Sequence, residues 1–237
     1  MSPTAVGSRE GKILEILRQV HLIRSKDFAV PRSARGGRTA FETLVVTLLS
    51  QNTNDRNTRR AYENLRSSVS IEPQEILKAD VETIEDAIRV GGLYRTKTKA
   101  LKALSSEVLE RFRGDLDTVL NLPLDEAREI LMSLPKIGPK TADVMLLFLR
   151  GRATVPVDTH VNRVSRRLGL APPKSGYEAV RQSLMGLFRP EDYLDLHLLL
   201  IAHGRKVCQA RKPRCPECPV AELCTYPNKT PQEEISS

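Results

Sequence analysis

The chain has 237 residues, 40% of them hydrophobic and 28% charged, enough apolar side chain for one large or two modest cores. Lysine and arginine outnumber aspartate and glutamate by 37 to 29, a net charge of +8 with an isoelectric point near 9.5, which favours a polyanionic partner such as nucleic acid or an anionic membrane surface. No segment approaches the roughly 18 continuous apolar residues of a membrane span, and the opening MSPTAVGSREGK lacks the apolar core of a signal peptide, so a cytosolic chain with no membrane partner is expected.

Helical periodicity then runs from end to end. In chain order, apolar residues recur at three- and four-residue intervals in KILEILRQV, FETLVVTLLS, AYENLRSSV, IEDAIRV, KALKALSSEVLERF, LDEAREILMSL, ADVMLLFLR, VNRVSRRLGL, YEAVRQSLMGLF and YLDLHLLLIAHG. No run alternates apolar and polar residues around a hairpin signal as paired strands would. The fold class is therefore all-α, with about ten short helices joined by tight turns. SARGGR at 33–38 is a basic, glycine-containing connector and APPKSG at 171–176 a second break. Ser175 and Glu178 have the spacing of a capping box for the helix that follows. Residues 1–8 and the tail at 227–237 are polar and expected to fray.

The densest chemical signal is LPKIGPKTADVMLLF at 134–148. Gly138 and Pro139 force a turn, and Pro139 suits the first position of a helix, where its missing N–H costs nothing. The helix beyond is apolar on nearly every side, which implies burial. Backbone N–H groups at such a turn, together with the positive end of the helix dipole, suit a phosphate. Lys140 is electrostatically misplaced there: a cation at a helix N-terminus is disfavoured, which favours the neutral amine that a nucleophile requires. Further on, VPVDTHVNRV sets Asp158 as the N-cap of another helix, where its carboxylate can also accept a proton or stabilise a cation. The adjacent His160 is assigned no chemistry.

Cys208, Cys215, Cys218 and Cys224 follow C-x6-C-x2-C-x5-C. Four cysteines so spaced in a reducing compartment read as metal ligands rather than disulfides, and spacing alone admits a four-thiolate zinc site and a [4Fe–4S] cluster equally. Arg211, Lys212 and Arg214 lie between the first two ligands, so a metal-pinned loop would present cations to phosphate.

LPKIGPKTA followed by VPVDTHVNRV resembles the helix-hairpin-helix, Gly/Pro, Asp superfamily of base-excision DNA glycosylases, and most specifically the endonuclease III family. The resemblance covers most of the chain. It implies two helical domains flanking a DNA-binding cleft: a six-helix domain over about 35–152, and a second domain combining 9–34 with 153–226. It implies that Lys140 attacks the sugar C1′ of a damaged nucleotide flipped out of double-stranded DNA, with Asp158 as the catalytic aspartate, and that a Schiff base then drives β-elimination at the abasic site. It also decides the cysteine loop in favour of a [4Fe–4S] cluster with a structural and DNA-docking role. The family's glutamine segment, which fills the gap left by the flipped nucleotide, falls on Gln51 or Asn52. GGLYRTKTKA resembles the loop that wedges the opposite strand, with Leu93 as wedge and Arg95, Lys97 and Lys99 near phosphates. A buried turn leucine is the plainer reading of Leu93.

One departure stands out: Lys136 occupies the first glycine position of the family's hairpin, ahead of Ile137 and Gly138. If that position needs a positive φ, lysine is strained there, and its side chain is in reach of a phosphate. The expected protein is a monomeric, cytoplasmic, nucleoid-associated glycosylase and abasic-site lyase acting on oxidised pyrimidines. Two rivals remain. A monofunctional mismatch glycosylase is opposed by Lys140 and by Val46 and Thr47, where the adenine enzyme carries its glutamate. A zinc-stabilised, non-enzymatic DNA-binding protein would use the hairpin only to grip phosphate.

Overall fold

Every regular element among residues 7–23 and 38–231, the residues that the computed structural model describes, is helical. The elements are α1 (Arg9–Val20), α2 (Ala40–Leu49), α3 (Asp55–Ser68), α4 (Pro73–Lys78), α5 (Val81–Ile88), α6 (Tyr94–Phe112), α7 (Asp117–Leu120), α8 (Leu124–Ser133), α9 (Pro139–Arg150), α10 (Thr159–Leu168), α11 (Tyr177–Leu187) and α12 (Tyr193–Lys206). Short 3-10 turns occupy Arg89–Gly91, Pro190–Asp192 and Cys215–Glu217. The all-α fold class holds. Helices α4 and α7 escaped the periodicity because six and four residues are too few for a 3.6-residue period to repeat. The glycine-containing connector, apart from Arg38, and the boundary expected near residue 34 lie outside the described residues.

The described chain divides into two compact units, 38–152 and 7–23 with 153–231. In the first, α2 is the central helix. All of its residues except Glu42 are buried, and Leu44, Val45, Leu48 and Leu49 share a core with Leu65, Ile84, Leu101, Leu104, Leu131 and Met145 from the surrounding helices. A capping box starts α2: Thr39 Oγ1 accepts from Glu42 N at 3.1 Å, and Glu42 Oε2 accepts from Thr39 N at 2.7 Å. In the second unit α12 packs on α1 and α10. Leu17, Val161, Val164, Leu184, Phe188, Leu196 and Leu200 are all fully buried. Arg18 on α1 reaches Asp192 at 2.7 Å.

The capping box expected at Ser175 does not form. Gly176 is the N-cap of α11 and offers no side-chain bond, while Ser175 Oγ turns back to donate to Pro172 O at 2.6 Å. The local turn competes successfully for the hydroxyl.

Candidate catalytic hairpin and cluster loop

Helices α8 and α9 form the hairpin, and Ile137, only 5% exposed, plugs the turn between them. Gly138 is the N-cap of α9, with Pro139 at the first helical position and no side-chain cap, which leaves the helix start to backbone N–H groups and the dipole. The backbone of Gly138 is extended (φ −97°), and a Cβ built there would meet no atom within 4 Å. Among the described residues, no neighbour demands glycine at 138. Lys136, by contrast, has φ +63°. The anticipated strain is present, at about 1–2 kcal/mol for a left-handed residue bearing a Cβ.

Lys140 follows Pro139 and is half-buried at the mouth of α9, whose residues from Thr141 to Phe148 are all buried. One turn on, Asp143 is completely buried and ion-paired with Arg128 of α8 at 3.0 Å. This pair clasps the two helices of the hairpin. Its one sequence signal is the aspartate inside an apolar run, which implies a cation opposite; the identity of that cation is set by the fold.

The loop after α2 meets the same hairpin. Gln51 Nε2 donates to Lys136 O at 3.3 Å, whereas Asn52 is exposed and left-handed (φ +54°). Leu93, ahead of α6, is also left-handed (φ +50°) and 57% exposed, so the buried-turn reading of this leucine fails. Arg95 and Lys99 are exposed, but Lys97 is not available to phosphate. It is 5% exposed, and its Nζ donates to Leu49 O at 2.8 Å and Gly91 O at 2.9 Å. Burial lowers its pKa, but the bonds to two carbonyls favour keeping the ammonium there.

The second unit carries Asp158 and the cysteines. Asp158 caps α10, its Oδ1 accepting from Val161 N at 2.7 Å. His160 lies 3.1 Å from Arg163 Nη2 and its pKa is lowered by burial, in keeping with a packing role. All four cysteines line one small pocket together with His203, Arg167 and Tyr226. Arginines one turn apart on α10 hold the loop: Arg163 Nε donates to Cys208 O at 3.0 Å, and Arg167 donates to Gln209 O at 2.6 Å, Ala210 O at 2.9 Å and Cys208 Sγ at 3.5 Å. Their i, i+4 spacing is readable in VNRVSRRLGL, but their target is not. Burial raises the Cys208 thiol, and the Cys218 thiol up to about 11. Burial and neighbouring His21 lower His203, 3.7 Å from Cys218 Sγ, to about 4. A metal group bound here would take the cysteines as thiolates, its positive charge offsetting the cost of burying them. Four cysteine sulfurs lining one pocket are the donor set that a four-thiolate metal group takes. Arg211 and Lys212 are exposed, and Arg214 is paired with Glu217.

The family model described as HhH-GPD superfamily base excision DNA repair protein matches residues 45–190, and that of the iron-sulfur binding domain of endonuclease III matches residues 208–224. Endonuclease III of Sulfolobus acidocaldarius is 37% identical over 89% of this chain and 92% of its own length. For endonuclease III of Escherichia coli K12 the values are 36%, 80% and 85%. Among solved structures, a trapped endonuclease III–DNA covalent intermediate superposes with a TM-score of 0.73 at 29% identity, covering 91% of this chain and 95% of the other. A non-covalent endonuclease III–DNA complex superposes at 0.76 and 28%, covering 92% and 95%. The chain belongs to the endonuclease III family of the HhH-GPD superfamily. It is a DNA glycosylase with abasic-site lyase activity, binds DNA and carries a [4Fe–4S] cluster.

Proposed function

We propose that Lys140 is the nucleophile of this glycosylase and lyase and Asp158 its catalytic carboxylate, acting on oxidised pyrimidines in double-stranded DNA. The observation that carries this reading is the delivery of a half-buried lysine at the start of α9 directly behind a phosphate-competent turn. The neutral amine of Lys140 bonds to C1′ of the flipped nucleotide while the glycosidic bond breaks and the base departs with its electron pair, taking up a proton. Ring opening leaves an imine between Lys140 and C1′. Loss of a C2′ proton then expels the 3′ phosphate oxygen and nicks the strand. Asp158 balances the positive charge on the sugar during departure of the base.

Asn52 is the better candidate than Gln51 for filling the vacated stack, because it is exposed and left-handed while Gln51 is engaged by the hairpin backbone. The exposure of Leu93 supports its role as the wedge on the opposite strand. Lys136 and the backbone at Gly138 grip phosphate, and Arg211, Lys212 and Arg214 on the cluster loop add contacts. The cluster, held by Cys208, Cys215, Cys218 and Cys224, fixes that loop. The protein is read as a monomer of the cytoplasm, associated with the nucleoid through its affinity for DNA. No helix among the described residues is long and apolar enough to cross a membrane. Borohydride reduction with abasic-site duplex tests the assignment. A covalent complex should form with the native protein and be absent with Lys140→Ala; trapping that survives the substitution would end it.

A further inference from the structure

Lys97 ties together the two loops assigned to duplex penetration. Leu49 is the last residue of α2 and Asn52 lies three positions beyond it; Gly91 ends a 3-10 turn and Leu93 lies two positions beyond it. The carbonyl oxygens of Leu49 and Gly91 accept from the same ammonium at 2.8 and 2.9 Å. The backbone adds a third link, Lys97 N donating to Leu93 O at 2.9 Å. At Gly91, a Cβ would stand 3.3 Å from Ala61 Cβ and 3.8 Å from Lys97 Nζ, so a glycine lets this carbonyl approach closely. The C-terminal carbonyls of α2 are the negative end of that helix, where a cation is well placed.

A lysine that merely filled the core would have no need to select these two carbonyls. Each stands a few residues from an exposed, non-glycine residue in the left-handed conformation, and such conformations persist only where the surroundings over-determine them. We propose that Lys97 is a positioning residue that couples the Asn52 loop to the Leu93 loop, so that gap-filler and wedge enter the duplex as one rigid pair. The proposal rests on the insertion roles given above for Asn52 and Leu93. An ammonium suits the task because its three N–H groups can serve carbonyls from separate segments; methionine keeps the volume and loses every donor.

The test compares borohydride trapping by the full-length, cluster-loaded native protein and Lys97→Met on two DNAs carrying the same abasic site, one single-stranded and one duplex. Single-stranded DNA presents no opposite strand to wedge. K97M should trap it within about twofold of native and trap the duplex at least about tenfold more slowly, the scale of a small misplacement of reacting groups. Native-protein losses from Asn52→Ala and Leu93→Ala should be non-additive, and should become additive in the K97M background. Equal slowing on both DNAs, unchanged duplex trapping, or coupling that persists in K97M would overturn the proposal. If N52A and L93A leave duplex trapping by the otherwise native protein unchanged, the insertion reading itself fails; if they impair it while K97M does not, only the coupling fails. Thermal melting verifies that K97M is folded, and Lys97→Leu, which likewise lacks every donor, carries the same comparison should K97M not fold.

Discussion

Replacing Lys136 separates backbone strain from DNA contact within a single residue. Lys136 is exposed with φ +63°, and a left-handed residue with a Cβ costs about 1–2 kcal/mol. Glycine removes that cost but returns roughly 0.5–1 kcal/mol through its greater freedom in the unfolded chain. Lys136→Gly should therefore stabilise the protein by about 0.5 kcal/mol, a rise in melting temperature of about 1–2 °C for a chain of this size. Lys136→Ala keeps the strained Cβ and should show no such rise. Both variants lose the same charge, so each should lower the salt dependence of duplex binding by about 0.9 in the slope of log K against log salt, the loss of one phosphate contact. Calorimetry and fluorescence anisotropy on a duplex with a stable abasic-site analogue, across a salt series, give both readouts. K136A melting as high as K136G would refute the strain argument. Slopes equal to that of the native protein would refute the phosphate contact.

Arg128→Met takes the guanidinium from the fully buried Asp143 carboxylate and should cost about 1–3 kcal/mol in urea unfolding; unchanged stability would refute the clasp between α8 and α9. Asp158→Ala removes the cap of α10 and should cost about 1 kcal/mol, while Asp158→Asn preserves the cap. If the carboxylate charge matters to chemistry, single-turnover base excision should fall in both variants despite the stability of D158N. Leu93→Ala, at an exposed position, should change stability by no more than about 0.5 kcal/mol yet slow excision from duplex DNA; normal excision would remove the wedge. Cys218→Ala should cost the purified protein its yellow-brown colour and open the 208–224 loop to limited proteolysis, and a colourless native protein containing zinc would contradict the cluster.

Some of this architecture was legible because it depends on short-range rules. Periodicity announced the helices of ten residues and more. The Gly138–Pro139 pair announced the hairpin, Asp158 announced its cap, and the cysteine spacing announced a metal loop. The strain at Lys136 was anticipated only through the resemblance, which puts a glycine at that position of the hairpin; its positive φ comes from the structure. Helices α4 and α7, and the use of Gly176 rather than Ser175 as cap, were not accessible, because short elements and competing hydroxyl bonds are settled by what surrounds them.

The deepest division between sequence and tertiary structure concerns the charged residues. Read along the chain, Lys97 is one of several basic residues in GGLYRTKTKA and looks like a phosphate contact. In the folded unit it is buried and binds carbonyls contributed by α2 and by the turn before Leu93. Arg163 and Arg167 likewise hold the cluster loop, while Arg128 neutralises Asp143. The sequence by itself determined which residues can carry charge, turn the chain or ligate a metal. Only tertiary structure decided whether each cation meets water, a carboxylate or a carbonyl, because burial and partner are set by segments far apart in the chain.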